Sequence, residues 1–321
     1  MPRAILESIA RHHSFAVVGH VSPDGDSLGS ILALQELLTI QGKQAVAFCV
    51  DPIPDKYSYL PGIDRFVRNP AQSGHTFDCA IILDCGALAR TGISADFYSG
   101  LTIINIDHHK SNGGELGLAW VDDTFAATGE MVFALCKTAG WTISLLAATA
   151  LFTALSTDTG FFRFSNTSPA ALRMAADLLE LGVNARTIAE FTMERRSLSE
   201  ICVLRESLGS LKQYLGGAIA TLAISQNVWV QCDVNPDEVE GLVDYPRSIK
   251  ETQVAVLFRE IEPDSVRVSL RSKGQVDVSK VAAHYGGGGH ARAAGCTMKS
   301  SLAVAEQTLL LRLTEEIYRD A

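Results

Sequence analysis

Acids and imidazoles recur in this chain where short apolar runs end. His20-Val-Ser-Pro-Asp24-Gly-Asp26 follows the run Phe15–Gly19, Asp84 follows Cys79–Leu83, Asp107-His108-His109 follows Leu101–Ile106, and Asp158 closes a helical stretch that begins at Leu145. Carboxylates crowded together repel one another and are costly to bury, so several converging Asp call for cations. Two imidazoles among carboxylates suit divalent ions of borderline hardness, Mn²⁺ best, with Mg²⁺, Co²⁺ or Fe²⁺ as alternatives. The donors are enough for two ions if one carboxylate is shared, and Asp84, central in the series, is the residue chosen for the bridge. Two ions about 3.5–4 Å apart can hold a hydroxide and a phosphoryl oxygen together for in-line hydrolysis. Each piece alone has a plainer reading. An Asp at a strand end often caps a helix, a His-His pair is often surface, and Asp24-Gly-Asp26 could cap the helix that starts at Ser27. Their joint placement at the ends of consecutive strands favours the metal centre.

A second group lies near the end of the chain, in Gly286-Gly287-Gly288-Gly289-His290-Ala291-Arg292, preceded by Arg271. Consecutive glycines leave backbone N–H groups unshielded and free to take positive φ, which suits a nest around an anion. His290 and Arg292 can neutralise phosphate, and Arg271 can supply a bidentate fork. From Arg259 to Lys299 there are seven Lys/Arg against four Asp/Glu, a local excess of three positive charges in a chain of net charge −9. The plainer reading is a flexible loop; the flanking His and Arg favour a binding element. Phe162 and Arg163, after the Asp158 turn, are weaker candidates, and His12, His13, His75 and His284 receive no role. No G-x-S-x-G, Walker A or dinucleotide fingerprint stands in a suitable context.

The elements that must position these residues follow from periodicity. Phe15–Gly19, Ala45–Val50, Cys79–Leu83 and Leu101–Ile106 read as strands buried on both faces, with a helix over Ser27–Gln41 between the first two. That βαβ rhythm predicts a parallel sheet covered by helices, whose crevice lies at the carboxyl ends of the strands. Further helices are expected over Gly129–Ala139, Leu145–Leu155 and Ser168–Gly182. Asn184 to about Leu211 is charged and reads as a solvated helical connector. Beyond it, Ala218–Ile224, Gln253–Phe258 and Val266–Arg271 read as strands, the last two forming a hairpin, with helices at Pro236–Arg247 and Ser301–Tyr318. The expected fold class is α/β in two parts: residues 1–187 a catalytic parallel-sheet domain, 188–212 a helical linker, and 213–321 a smaller α/β substrate-binding domain, with the active site in the cleft between them.

Composition narrows the function. The 321 residues are 47% hydrophobic and 20% charged, which argues against wholesale disorder. With 27 Lys+Arg against 36 Asp+Glu, the chain is a poor candidate for gripping long duplex nucleic acid. The seven cysteines are odd in number and never spaced C-x-x-C, so neither a disulfide framework nor a zinc knuckle is expected. They read as core residues in a reducing compartment. No signal peptide or apolar stretch long enough to span a bilayer is present, so a cytoplasmic protein is expected.

These motifs resemble the DHH phosphoesterase superfamily: Asp107-His108-His109 is the named triplet, His20-x-x-x-Asp24-x-Asp26 the first motif, Asp84 the second and Asp158 the fourth. Gly286–Gly295 is similar to the GGGGH signature of the C-terminal domain that accompanies DHH in one subfamily, and the length resembles the nano-RNase/pAp-phosphatase branch. The resemblance covers nearly the whole chain. It implies that His20 and Asp24 bind one ion, Asp26, His108 and Asp158 the other, and that Asp84 bridges. It implies that His109 lies close to the substrate phosphate, that Asp107 supports the site, and that Arg271, His290 and Arg292 contact substrate phosphate. Family II pyrophosphatases lack the GGGGH domain, RecJ-type exonucleases are longer, and membrane-bound cyclic-di-AMP phosphodiesterases add segments not present here.

The expected function is therefore a Mn²⁺-dependent hydrolase that cleaves RNAs of about two to five nucleotides and pAp (3′-phosphoadenosine 5′-phosphate) by attack of a bridging hydroxide. It would be an exoribonuclease and 3′(2′),5′-bisphosphate nucleotidase without a membrane partner. A stand-alone phosphodiesterase for cyclic di-AMP or pApA is the alternative, and a non-catalytic nucleotide sensor is the second. Oligomeric state is left open, with a homodimer among the options.

Overall fold

The computed structural model describes residues 2–236, 239, 241–273 and 276–319, with the side chains of His290 and Arg319 outside that description. The chain divides into two compact units, Met1–Arg195 and Arg196–Ala321.

The first unit contains strands β1 (Ser14–Val18), β2 (Gln44–Phe48), β3 (Cys79–Leu83), β4 (Thr102–Asp107) and β5 (Leu118–Val121). They pair in the order β2-β1-β3-β4-β5, every pair parallel. Its helices are α1 (Pro2–Arg11), α2 (Gly25–Ile40), α3 (Thr128–Ala139), α4 (Leu145–Asp158), α5 (Pro169–Glu180) and α6 (Ala185–Ala189). Alternate residues of each strand feed two cores. Phe15, Val17, Ile81, Leu83 and Ile104 join the helices, which bury Leu28, Leu32, Met131 and Leu151 against them. Ala16, Val18, Ala80 and Ile82 point the other way. That face is covered by single 3₁₀ turns carrying Tyr98 and its neighbours, and not by the helices that the βαβ rhythm predicts. Strand β5 was not expected from the sequence; it is only four residues long and follows the left-handed Gly117.

The second unit opens with α7 (Leu198–Gly209), the latter part of the charged stretch read as a connector, where Ser197 and Glu200 form a reciprocal capping box. Its Val203 is fully buried against Leu222, Trp229 and Leu257, so this helix is packed on its own unit. Then come β6 (Lys212–Tyr214), β7 (Ile219–Ile224), α8 (Gln226–Cys232), α9 (Asp244–Ser248), β8 (Val254–Glu262), β9 (Ser265–Ser272), α10 (Val278–His284), β10 (Gly288–His290), β11 (Ala293–Met298) and α11 (Leu302–Arg319). The sheet order is β10-β11-β9-β8-β7-β6, and β8–β9 is the expected hairpin. Among the described residues of the helix predicted over Pro236–Arg247, the α-helix is α9, which follows Gly241 at φ +75°, a left-handed conformation that interrupts a helix. Asp237, Glu238 and Glu240 of that prediction lie outside the described residues.

Two further expectations change. Cys202 of α7 and Cys232 of α8 are joined by a disulfide, while Cys49, Cys79, Cys85, Cys136 and Cys296 are buried free thiols. The spacing argument failed because the pair is 30 residues apart and meets only when the two helices pack. The glycine run is not a free loop either, since Gly288–His290 forms β10 against β11. Among the described residues, no helix is long and apolar enough to cross a membrane.

Candidate metal centre

Strand β1 lies between β2 and β3, so the chain leaves β1 to one side for β2 and returns on the other for β3. An open parallel sheet has its crevice at such a reversal, outside the carboxyl ends of the strands. His20 and Asp24 follow β1, Asp84 follows β3, and Asp107 ends β4 with His108 and His109 next. Asp26 sits in the first turn of α2, with Asp24 as N-cap accepting from the Ser27 N–H. Asp158 arrives from elsewhere, as the last residue of α4. Two glycines of α2 admit it: a Cβ on Gly25 would run into the Thr157 side chain, and one on Gly29 into the Ala150 carbonyl. Helix α4 can thus lie close enough for its end to meet the start of α2.

The donor atoms gather into three groups, each within 4.8 Å: His20, Asp24 and Asp84; Asp26, His108 and Asp158; and Asp84, His108 and His109. His20 Nε2 is 3.3 Å from Asp84 Oδ2 and 3.8 Å from Asp24 Oδ2. His108 Nε2 is 3.6 Å from Asp26 Oδ2, 3.7 Å from Asp84 Oδ1 and 3.5 Å from Asp158 Oδ2. Asp84 therefore turns one oxygen toward each histidine. It does so from left-handed backbone at φ +56°, an unusual conformation for a non-glycine residue.

The other ring nitrogens decide what faces these acids. His20 Nδ1 lies 2.8 Å from the Val21 carbonyl and His108 Nδ1 lies 3.3 Å from the Phe125 carbonyl. A carbonyl only accepts, so each Nδ1 carries the proton, and in the neutral ring Nε2 is left as a lone pair. That lone pair points at carboxylate oxygens, acceptor against acceptor, at separations suited to sharing one cation with bonds of about 2.1 Å. The carboxyls show the same tension. Burial, then neighbouring Asp26, Asp24, Asp158 and Asp107, push Asp84 well above the ordinary 3.8. Burial raises Asp26, against the pull of His108, and burial with Asp26 and Asp24 raises Asp158 well above that value. The donor set fits divalent cations.

A surrounding layer fixes the acids. Asp26 accepts from the N–H groups of Thr128 (2.6 Å) and Gly129 (2.9 Å) at the start of α3, and from Ser30 Oγ (3.0 Å). Thr128 Oγ1 also donates to Asp84 Oδ1 at 3.2 Å. Asp107, fully buried, accepts from His109 Nδ1 at 2.8 Å and from Asn112 Nδ2 at 2.8 Å. Burial would raise the Asp107 carboxyl, but these bonds outweigh it and hold it below its usual value. His109 Nδ1 is thus committed to Asp107, and its ring is 25% exposed. Thr128, Asn112 and the buried Glu130, whose carboxyl burial raises, are neighbours that the sequence reading missed. Phe162 ends a run of left-handed residues, Gly160, Phe161 and Phe162, and Arg163 follows it; Phe162 packs on Phe152 and Arg163 is exposed.

In the second unit, Arg271 opposes Ala293 in the β9–β11 ladder, and Ala293 opposes His290 in β11–β10. The Arg292 carbonyl accepts from the Ser272 N–H at 3.0 Å, and its side chain is exposed. These three residues therefore occupy one end of the sheet. Gly287 and Gly289 are required by packing, since a Cβ on either would strike the β11 backbone, whereas Gly288 has nothing within 4 Å of such an atom.

Residues 14–155 match the model of the DHH family, N-terminal domain, and residues 212–318 that of the DHHA1 domain. The chain is 34% identical to the bifunctional oligoribonuclease and PAP phosphatase NrnA of Thermus thermophilus, over 94% of this chain and 90% of that protein. The protein of the same name from Bacillus subtilis is 26% identical, over 94% of each. The crystal structure of an exopolyphosphatase-related protein from Bacteroides fragilis superposes with a TM-score of 0.92 at 26% identity, covering 98% of this chain and 95% of that one.

Proposed function

The chain belongs to the DHH family, its enzymatic class is hydrolase, and from this we propose that it is a Mn²⁺-dependent phosphoesterase acting on short oligoribonucleotides and pAp. The observation that carries the reading is the confrontation of two imidazole lone pairs with buried carboxylates around Asp84. We assign His20 and Asp24 to one ion, Asp26, His108 and Asp158 to the other, and Asp84 to both. When bound, two divalent ions supply positive charge to the phosphoryl oxygens and ease the deprotonation of water.

The remaining work belongs to the protein's own groups. The N–H groups of Thr128 and Gly129 keep Asp26 from swinging away. Asp107 accepts a hydrogen bond from His109 Nδ1, which orients the ring, and His109 is assigned a place close to the substrate phosphate. Arg271, Arg292 and the glycine run, with His290, are assigned to holding phosphate, Arg271 by its planar fork. In this reading residues 1–187 are catalytic and 213–321 bind substrate, while of the stretch 188–212 the part in α7 packs with the second unit. A net charge of −9 suits substrates held locally better than a long basic track. The reading also assigns the activity to the cytoplasm, where a reducing pool would act on the Cys202–Cys232 bond.

The test is hydrolysis with Mn²⁺ of pAp, 5′-phosphorylated RNA dimers to pentamers, pApA, cyclic di-AMP and pyrophosphate, each against a chelator control. Metal-dependent turnover of the short RNAs and pAp is expected. Preference for cyclic di-AMP or pApA would replace this substrate assignment. No turnover of any of them would leave a nucleotide-binding protein.

A further inference from the structure

A polar side chain is sealed inside the first sheet. Ile104 and Ile106 of β4 join the core under the helices, while Ile103 packs into the other core, with Ala80, Ile82 and Cys85. Asn105 alternates with Ile104 and Ile106, so it belongs to that second face, and it is fully buried. A buried amide without partners is costly, so its hydrogen bonds show what it holds. Nδ2 donates to the Ile82 carbonyl and to the Cys85 carbonyl, both at 3.1 Å. Those carbonyls lie on either side of Asp84 in the chain, and the Asp84 N–H donates to the Ile106 carbonyl at 3.0 Å. Asn105 therefore closes a clasp around Asp84 and its left-handed backbone at φ +56°.

The amide is itself held. Its Oδ1 accepts from Asn112 Nδ2 at 2.9 Å, and the same Nδ2 donates to Asp107 Oδ2 at 2.8 Å. Asn112 Oδ1 accepts from the Gly114 N–H at 2.9 Å, and the Asn112 N–H donates to the His109 carbonyl at 3.0 Å. Each amide has one setting compatible with these partners, because carbonyls and carboxylates only accept and a backbone N–H only donates. Gly86 makes room for Asn112, since a Cβ there would come within 3.2 Å of Asn112 Cβ and Cγ. One chain of hydrogen bonds thus runs from the turn that carries Asp84 to the carboxylate that orients His109. Left-handed backbone at a non-glycine residue persists where the surrounding structure enforces it, and these amides do so here.

We propose that Asn105 is a positioning residue that holds the Asp84 turn, with Asn112 as its support, and so sets the affinity for divalent ions and kcat without touching substrate. The inference rests on the metal-dependent phosphoesterase reading above and adds what keeps the bridging carboxylate aimed at both histidines.

The experiment labels the metal-free full chain with iodoacetamide and maps the modified cysteines by mass spectrometry, for wild type, Asn105→Leu, Asn112→Ala and Tyr98→Phe. Cys85 is fully buried next to Asp84 and its carbonyl is held by Asn105, so its labelling rate reads the opening of this turn. Cys79 and Cys136, buried in the same unit, read general loosening. Asn105→Leu should speed the labelling of Cys85 about tenfold relative to that of Cys79 and Cys136, and Asn112→Ala should do so by less. Tyr98→Phe removes a buried O–H donation to Thr91 Oγ1 (2.8 Å) outside this chain of bonds, and should leave the ratio unchanged. Titration calorimetry with Mn²⁺ should show Kd raised about 10–100-fold in Asn105→Leu, and kcat for pAp at saturating Mn²⁺ should fall by a similar factor, with KM within about threefold of wild type. Equal acceleration at all three cysteines, or an unchanged Mn²⁺ Kd in Asn105→Leu, would place the amides in the general core and overturn the proposal. If Asn105→Leu does not fold, the same two readouts on Asn112→Ala decide the matter. A wild type that hydrolyses no phosphoester yet binds Mn²⁺, with the Kd raised in Asn105→Leu, would refute the phosphoesterase reading and leave the positioning role standing.

Discussion

Asp84 concentrates the chemistry of the first unit in a single side chain. Its two oxygens face different histidines, and its left-handed backbone is the kind of local cost that survives where surrounding structure enforces it. Asp84→Ala should reduce phosphoesterase turnover by at least about a hundredfold and weaken Mn²⁺ binding, measured by kinetics and titration calorimetry. Turnover within a few-fold of wild type would remove the bridging assignment. Apart from Asp158, which closes α4, the acids and histidines could be found in the sequence because each sits at the end of a strand or a few residues beyond it. Thr128 could not be, because it donates to Asp26 from 102 positions away and is an ordinary helix-start residue locally. Asn112 was hidden in the same way: its link to Asp107 needs the chain to turn back after His109.

Elements are held in register by polar contacts at their ends as well as by their cores. Asp78, just before β3, accepts from the N–H groups of His13 (2.8 Å) and Ser14 (3.0 Å), tying the start of β1 to that of β3. Burial alone would raise the Asp78 carboxyl, but these two bonds and nearby His12 outweigh it and hold it below the ordinary 3.8. A depressed folded pKa means stability that is present above the unfolded value and lost as pH falls through the folded one. Asp78→Ala should therefore cost about 1–2 kcal/mol in urea unfolding at pH 7, and the gap should close once pH drops below the folded value. A gap unchanged under acid would show that the carboxylate charge does not matter. The long apolar strands and helices were legible because burial on both faces writes a continuous pattern. Strand β10 was not, since Gly-Gly-His has little strand propensity and forms a ladder only because β11 lies beside it. The 3₁₀ cover over β3 and β4 was equally hidden, as single turns carry no period to read.

At the scale of the molecule, labour is divided along the chain. Every residue assigned to an ion lies between His20 and Asp158, inside the first unit, while Arg271 and the glycine run lie in the second. Mn²⁺ bound only by the folded first unit should stabilise it by about 2.7 kcal/mol at a hundredfold excess over Kd, raising its calorimetric transition by roughly 5–10 °C relative to chelator. A first-unit transition indifferent to saturating Mn²⁺ would remove the metal centre. The two-part organisation was legible because the pattern changes after Gly216-Gly217, and the disulfide was not because the helices it joins had to be packed first. The position of Asp158 at the end of α4 carries one more consequence. Synthesis runs from the N-terminus, so a nascent chain released between His108 and that residue carries His20, Asp84 and His108 but lacks a donor of the Asp26 group. Truncated products of a broken message that end in that range then have an incomplete site, and a cell making them would release fragments without the proposed metal centre.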